Sequence, residues 1–270
     1  MKYQNAVVVG LSTFVLCCMA PLSTMYAQGD SAEHTKKGIE LAKKKQYDQA
    51  AEEFGLAIKA DPKDAKHYLN RANAYRAGGK LDQAAADFTK YTEMEPERAD
   101  GFTGLGKVKL SQKQYDAAIT DLDKALTLND DDLDIYRSRA FAYLSKNEDE
   151  KAVEDYSKIL AKKSDDPQAL ERRAFVYNRM KQYDKAIVDL TKVIDKNAKD
   201  PEAYRARGYA QSLAEHFDKA AADFEMVLKL KPADADAQTR LKAAQQRTSA
   251  GAAAKPPAPA AAAAAPSPAH

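Results

Sequence analysis

The sequence predicts an all-α chain folded as a solenoid of antiparallel helix pairs, and three observations carry that prediction. Alanine, lysine, leucine, glutamate and aspartate dominate, while the alternating Val/Ile/Thr-rich runs of half-buried strands are missing. A 34-residue period runs through most of the chain. Charged residues make up 30% of the 270 residues and tryptophan is absent, which argues against a single large core. The formal net charge of +2 gives little overall drive toward nucleic acid, so no nucleic-acid partner is expected.

The period is read directly from recurring residues. Tyr47-Asp48, Leu81-Asp82, Tyr115-Asp116, Asp149-Glu150, Tyr183-Asp184 and Phe217-Asp218 recur once per period, each followed by an alanine: Ala50, Ala84, Ala118, Ala152, Ala186 and Ala220. Four places further come Phe54, Phe88, Leu122, Tyr156, Leu190 and Phe224, and three beyond those Ala57, Tyr91, Ala125, Ile159, Val193 and Val227. Spacings of four and three put these residues on one face of a helix, helix B of each pair. Upstream, Gly38, Ala72, Gly106, Ala140, Ala174 and Gly208 mark where helix A could approach helix B closely. Six units follow, at 31–64, 65–98, 99–132, 133–166, 167–200 and 201–234.

This pattern resembles the tetratricopeptide repeat, with its 34-residue unit and its aromatic, small, alanine, aromatic and proline signature. Pro62, Pro96 and Pro232 fall where that family ends helix B, whereas Asp130, Ser164 and Ala198 replace the proline in the other units. Pro167 and Pro201 suit the first turn of the next helix. The resemblance implies a right-handed superhelix with helix A lining a concave groove.

Two regularities support the fold independently. Asp30, Asp64, Asp132, Asp166, Asp200 and Asp234 precede the helices A and the final segment, with Arg98 as the exception. Aspartate there caps a free helical N–H, each cap contributing about 1 kcal/mol. Opposite charges also recur at one fixed offset: Lys37 with Glu53, Arg71 with Asp87, Arg139 with Asp155, Arg173 with Asp189, and Arg207 with Asp223. The third unit has Leu105 and Asp121 instead. These are expected to be structural ion pairs that fix packing register within or between helix pairs.

The two ends read differently. Met1–Ala27 carries Lys2 as its one charge and an apolar run from Ala6 to Ala20, the length of a secretory signal and short for a membrane span. Cleavage is expected after Ala27, giving an exported protein of a bacterial envelope, periplasmic or secreted; a retained segment would instead anchor it to the membrane. Both cysteines, Cys17 and Cys18, lie in this segment, so a mature chain has no thiol chemistry. Leu16 before Cys17 argues against a lipoprotein signal. At the other end, 235–247 reads as a capping helix and 248–270, rich in alanine and proline, as a disordered tail.

Nothing in the pattern points to catalysis, a cofactor or a metal. His34, His67, His216 and His270 share no ligand spacing, Gly101, Gly104 and Gly106 fall inside a helix A, and Asp130-Asp131-Asp132 occupies a connection between units. The expected chemistry is binding of another protein or peptide. If helix A lines a groove, Phe141, Phe175 and Tyr209 form an aromatic row there, near Arg137, Arg172, Asn178, Arg179 and Arg205. The same aromatics could equally pack between neighbouring helices. Asp100, Asp134, Glu171 and Glu202 argue against a simple channel for anions. The reading is therefore a non-enzymatic, exported interaction scaffold. The alternative is a structural spacer or oligomerising assembly factor, and self-association stays open.

Overall fold

The computed structural model describes residues 22–254 as thirteen helices, with no strand among the described residues. The chain divides into two compact units, one ending at Pro96 and the other beginning at Glu97. The first holds α1 (Leu22–Lys43), α2 (Tyr47–Ala60), α3 (Ala65–Ala77) and α4 (Leu81–Met94). The second holds α5 (Ala99–Ser111), α6 (Tyr115–Leu128), α7 (Leu133–Ser145), α8 (Asp149–Lys162), α9 (Pro167–Arg179), α10 (Tyr183–Lys196), α11 (Pro201–Leu213), α12 (Phe217–Leu230) and α13 (Ala235–Ala254). Within each unit every helix packs on the next in sequence, so odd-numbered helices A alternate with even-numbered helices B.

The core is made by the periodic residues. Phe54, Phe88, Leu122, Leu190 and Phe224 are each at most 2% exposed, and every alanine from Ala50 to Ala220 in the period is fully buried. Phe54, Leu122 and Phe224 lie directly under Gly38, Gly106 and Gly208 of their partner helices. A methyl group added at Gly106 would sit 2.6 Å from Leu122 Cγ, and one at Gly38 would sit 2.7 Å from the Phe54 ring. Glycine there is a packing requirement rather than a flexible point.

Helix starts and stops follow local chemistry. Asp64, Asp132, Asp166 and Asp200 each accept a backbone N–H from the first turn of their helix, and Asp234 accepts that of Ala237. Arg98 supplies no side-chain cap to α5. Asp30 differs from expectation: α1 begins at Leu22, so Asp30 lies inside a helix that runs on without a break. Helix A of every repeat closes with the same pair of backbone hydrogen bonds. In α9, Gln182 N–H donates to Tyr177 O and Lys181 N–H donates to Asn178 O, and five other turns repeat this, once per period. The closing residue is left-handed every time: Lys45, Gly79, Lys113, Asn147, Lys181 and Glu215 have φ between 58° and 78°. Only Gly79 and Asn147 suit that conformation.

The opposite charges that recur at a fixed offset meet in both units. Arg71 Nε and Nη2 donate to Asp87 at 2.7 and 2.8 Å, and Lys37 pairs with Glu53, which also accepts from His34. Arg139, Arg173 and Arg207 make the same two-pronged contact with Asp155, Asp189 and Asp223, at 2.6–3.0 Å. In the second unit the remaining Nη1 reaches back by the same offset: to Asp123 from Arg139, to Ser157 from Arg173, and to Thr191 from Arg207. One guanidinium therefore ties its own helix A to helix B of its pair and to helix B of the pair before. In the third repeat Lys109 fills the role that Leu105 cannot, meeting Asp121 at 2.6 Å.

Asp155 and Asp189 are 2% exposed, so these pairs carry a desolvation penalty. Burial pushes the Asp155 carboxyl above its ordinary range even against the pull of Arg139. Such pairs set register more than they add stability.

The ends depart from the predicted boundaries. α1 starts within the predicted signal segment, whose residues up to 21 lie outside those described. α13 extends past Arg247 to Ala254 because Ser249–Ala254 continues an alanine-rich, helix-favouring sequence. The predicted tail beyond it lies outside the described residues. On α12, α13 sits as a further helix A: Ala237 and Ala244 are buried as Ala203 and Ala210 are in α11.

Two outcomes test this account. Replacing Arg173 with Met strands Asp189 and should destabilise the chain by about 3–5 kcal/mol in denaturant titration, whereas R173M with D189L should recover most of that loss. Replacing Lys181 with Gly relieves a left-handed residue and should raise stability by about 1 kcal/mol in the same titration.

Candidate functional site

The residue after each small position lies about 100° further round helix A, so it turns away from the helix B beneath. In the second unit that position holds Phe141 on α7, Phe175 on α9 and Tyr209 on α11, which are 52, 53 and 43% exposed. Large apolar side chains left this open in a repeating row are uncommon on a surface of this charge density. The Arg240 guanidinium lies 5.3 Å from the Tyr209 ring centre, so one face of that ring is covered by α13.

Phe175 and Tyr209 flank an open groove of about 670 Å3 between α9 and α11. Its floor is Ala174, Leu190, Ala203 and Ala206, and Leu213 closes one side. Along α9 the groove wall reads Glu171, Phe175, Asn178 and Arg179, and along α11 it reads Glu202, Ala206, Tyr209 and Leu213. Steps of three and four hold each set on one helical face. The groove thus has an apolar middle and two polar ends about 12 Å apart, the rise from residue 171 to 179.

The end at the last turn of α9 is largely satisfied from within. Arg179 donates to Asn147 at 2.8 Å and meets Asp149 at 3.2 Å. Asn178 Oδ1 is buried with no hydrogen-bond partner among the described residues.

Two of the predicted groove arginines have other work. Arg137 donates to Asp166 at 2.8 Å, and Arg205 bonds Asp234 and Glu202. Both ties span 29 residues, joining helix A of one repeat to the aspartate that caps the next. Arg172 is exposed and stands apart from the groove lining. Of the predicted residues, Phe175, Asn178, Arg179 and Tyr209 come together in the groove, Phe141 continues the row, and Arg137 and Arg205 serve the scaffold.

In the sequence Glu171 reads only as a diluting charge. It occupies the repeat position of Arg137 and Arg205, one period from each, and faces the cap aspartate Asp200 where those arginines face Asp166 and Asp234. Asp200 Oδ1 accepts the amides of Glu202 and Ala203. Glu171 has no hydrogen-bond or ion-pair partner among the described residues. Burial, and then the nearby Asp200 carboxylate, push its carboxyl above the ordinary glutamate range against the pull of Arg172. The signal is present when positions 137, 171 and 205 are aligned by the repeat, where charge reverses in the middle unit.

No cluster of three or more metal-ligating side chains occurs among the described residues, and no described helix is long and apolar enough to cross a membrane. What the groove offers is shape, apolar contact and charge.

Comparison with known proteins agrees with the repeat geometry. Family models described as tetratricopeptide repeat or TPR repeat match residues 35–99, 106–146 and 168–200, between them more than half of the chain. No curated protein matches the chain. Among solved structures, YrrB, described as a TPR protein with an unusual peptide-binding site, aligns at 21% identity and a TM-score of 0.62, covering 71% of this chain and 99% of its own. The PilF protein of Pseudomonas aeruginosa aligns at 16% identity and a TM-score of 0.64, covering 82% and 99%. MamA of Desulfovibrio magneticus RS-1 aligns at 19% identity and a TM-score of 0.58, covering 63% and 97%. At these identities the likeness is one of fold.

Proposed function

The chain belongs to the tetratricopeptide repeat family, and from that premise we propose that it is an exported, non-enzymatic adaptor that binds a segment of another protein along its helices A. The row of Phe141, Phe175 and Tyr209 carries this reading, because residues serving only as packing would not stay about half exposed on three successive helices A. Aromatic rings beside unspent polar groups are efficient anchors, combining apolar area with few lost rotamers. That YrrB is described as having a peptide-binding site supports the same reading by likeness of fold. Export rests on the apolar run Ala6–Ala20 and the small residue Ala27 ahead of Gln28.

Replacing Phe141, Phe175 and Tyr209 together with alanine should abolish capture of a crosslinked partner in cells while leaving the helical circular dichroism intact. Retained capture would favour the alternative, a spacer or assembly factor that works through other faces. For export, intact-mass measurement of the protein from an envelope fraction should find a chain beginning at Gln28. A full-length chain held in the membrane would mean an anchor, and a cytoplasmic chain would overturn this part of the reading.

A further inference from the structure

The three A helices of the fourth, fifth and sixth repeats present one position to the cap of the following helix, and two of the three fill it with arginine. Arg137 and Arg205 each bring a cation to the second oxygen of a capping aspartate, Oδ2 of Asp166 and of Asp234, while Oδ1 serves the helix amides. In the fifth repeat the cap is built the same way, with Asp200 Oδ1 on the amides of Glu202 and Ala203. Its Oδ2 has no partner among the described residues, and the side chain that should answer it is Glu171, a second carboxylate. Both carboxylates line the groove floored by Ala174, Ala203 and Ala206 and walled by Phe175 and Tyr209. Glu202, on the same rim, is already engaged by Arg205 and by Lys231 at 2.8 Å.

We propose that this groove takes a partner segment in which a lysine or arginine side chain enters between Glu171 and Asp200 while a neighbouring apolar side chain packs between Phe175 and Tyr209. The proposal rests on the adaptor reading above and names the chemistry of the occupant. The incoming cation stands where the guanidiniums of Arg137 and Arg205 stand in the adjacent repeats, so the partner completes a contact that the chain makes for itself elsewhere. Charge complementarity selects the occupant: at the acidic end Glu171 and Asp200 have no ion-pair partner among the described residues, the nearby Arg172 standing outside the groove lining, whereas Arg179 at the other end is held by Asn147 and Asp149. The partial positive charge at the start of α11 does not repel the cation, because the Asp200 carboxylate already answers it. With the polar ends about 12 Å apart, the segment spans about four extended residues or two turns of helix.

The test uses the full chain and a fluorescein-labelled library of dodecapeptides with all positions randomised. Peptides enriched by the wild-type chain should carry Lys or Arg within about four residues of an apolar side chain. Replacing that basic residue with norleucine should weaken binding about tenfold. Glu171→Arg rebuilds the tie seen at Arg137 and Arg205, so it should keep or raise the thermal midpoint while abolishing the advantage of lysine over norleucine. A residue with a merely structural role would not lose selectivity as stability rose. Enriched peptides without a basic residue, or a lysine advantage that persists in E171R, overturn the inference while leaving the adaptor reading intact. Binding that survives Phe175→Ala with Tyr209→Ala overturns the groove itself. A marked gain in affinity on Lys255→Gln would make the chain's own C-terminal segment the occupant, and a dimer dispersed by E171R in sedimentation would make it a second copy; either result overturns the inference.

Discussion

A buried aspartate on each of α8, α10 and α12 depends for its charge on an arginine of the facing helix A, and most of the second unit's geometry follows from meeting that need. Asp155, Asp189 and Asp223 are nearly inaccessible, so an alternative packing that slipped one helix turn would leave each of them unanswered. The penalty for the wrong register is thus larger than the gain from the right one. Because the same guanidinium reaches the preceding helix B, correct pairing inside one hairpin also aligns it with its neighbour. Apolar burial holds the layers together, and the arginines decide which residues face one another.

That alignment is what makes a usable groove. Once Ala140, Ala174 and Gly208 are pressed onto helix B, the next residue in each helix A is turned outward, and the repeat places the three aromatics in a row. A single helix pair could not build such a surface. The polar chemistry of the groove arises in the same way, by departure from the repeat: where Arg137 and Arg205 close a contact between repeats, Glu171 leaves one open. The fifth repeat is informative because it departs from the two repeats that flank it.

Much of this was legible in the amino-acid order. Helix identity, the small-residue contact, the aspartate caps and the regularly offset opposite charges are local or strictly periodic signals, and periodicity survives without knowledge of the fold. Asp30 misleads because a cap is recognised by what lies before it, and the sequence upstream does not interrupt the helix. Arg137 and Arg205 group with the groove in the sequence because their exposure can be judged there but their partners, on the cap of the next repeat, cannot. The left-handed residues Lys45, Lys113, Lys181 and Glu215 carry no compositional mark at all. Their conformation is imposed by closing the helix over a short turn, and the side chain merely tolerates it.

The last helix has a consequence for how the chain can vary. α13 meets α12 through an aspartate cap, through a tie from Arg205 like the one Arg137 makes to Asp166, and through two buried alanines that match Ala203 and Ala210 of α11. In form it is the first half of another repeat. The junction at Asp234 is therefore generic: a duplicated repeat unit spliced in ahead of it would present α13 with the surface it already fits. Length, on this design, is a quantity that recombination can change by whole units without reinventing an end.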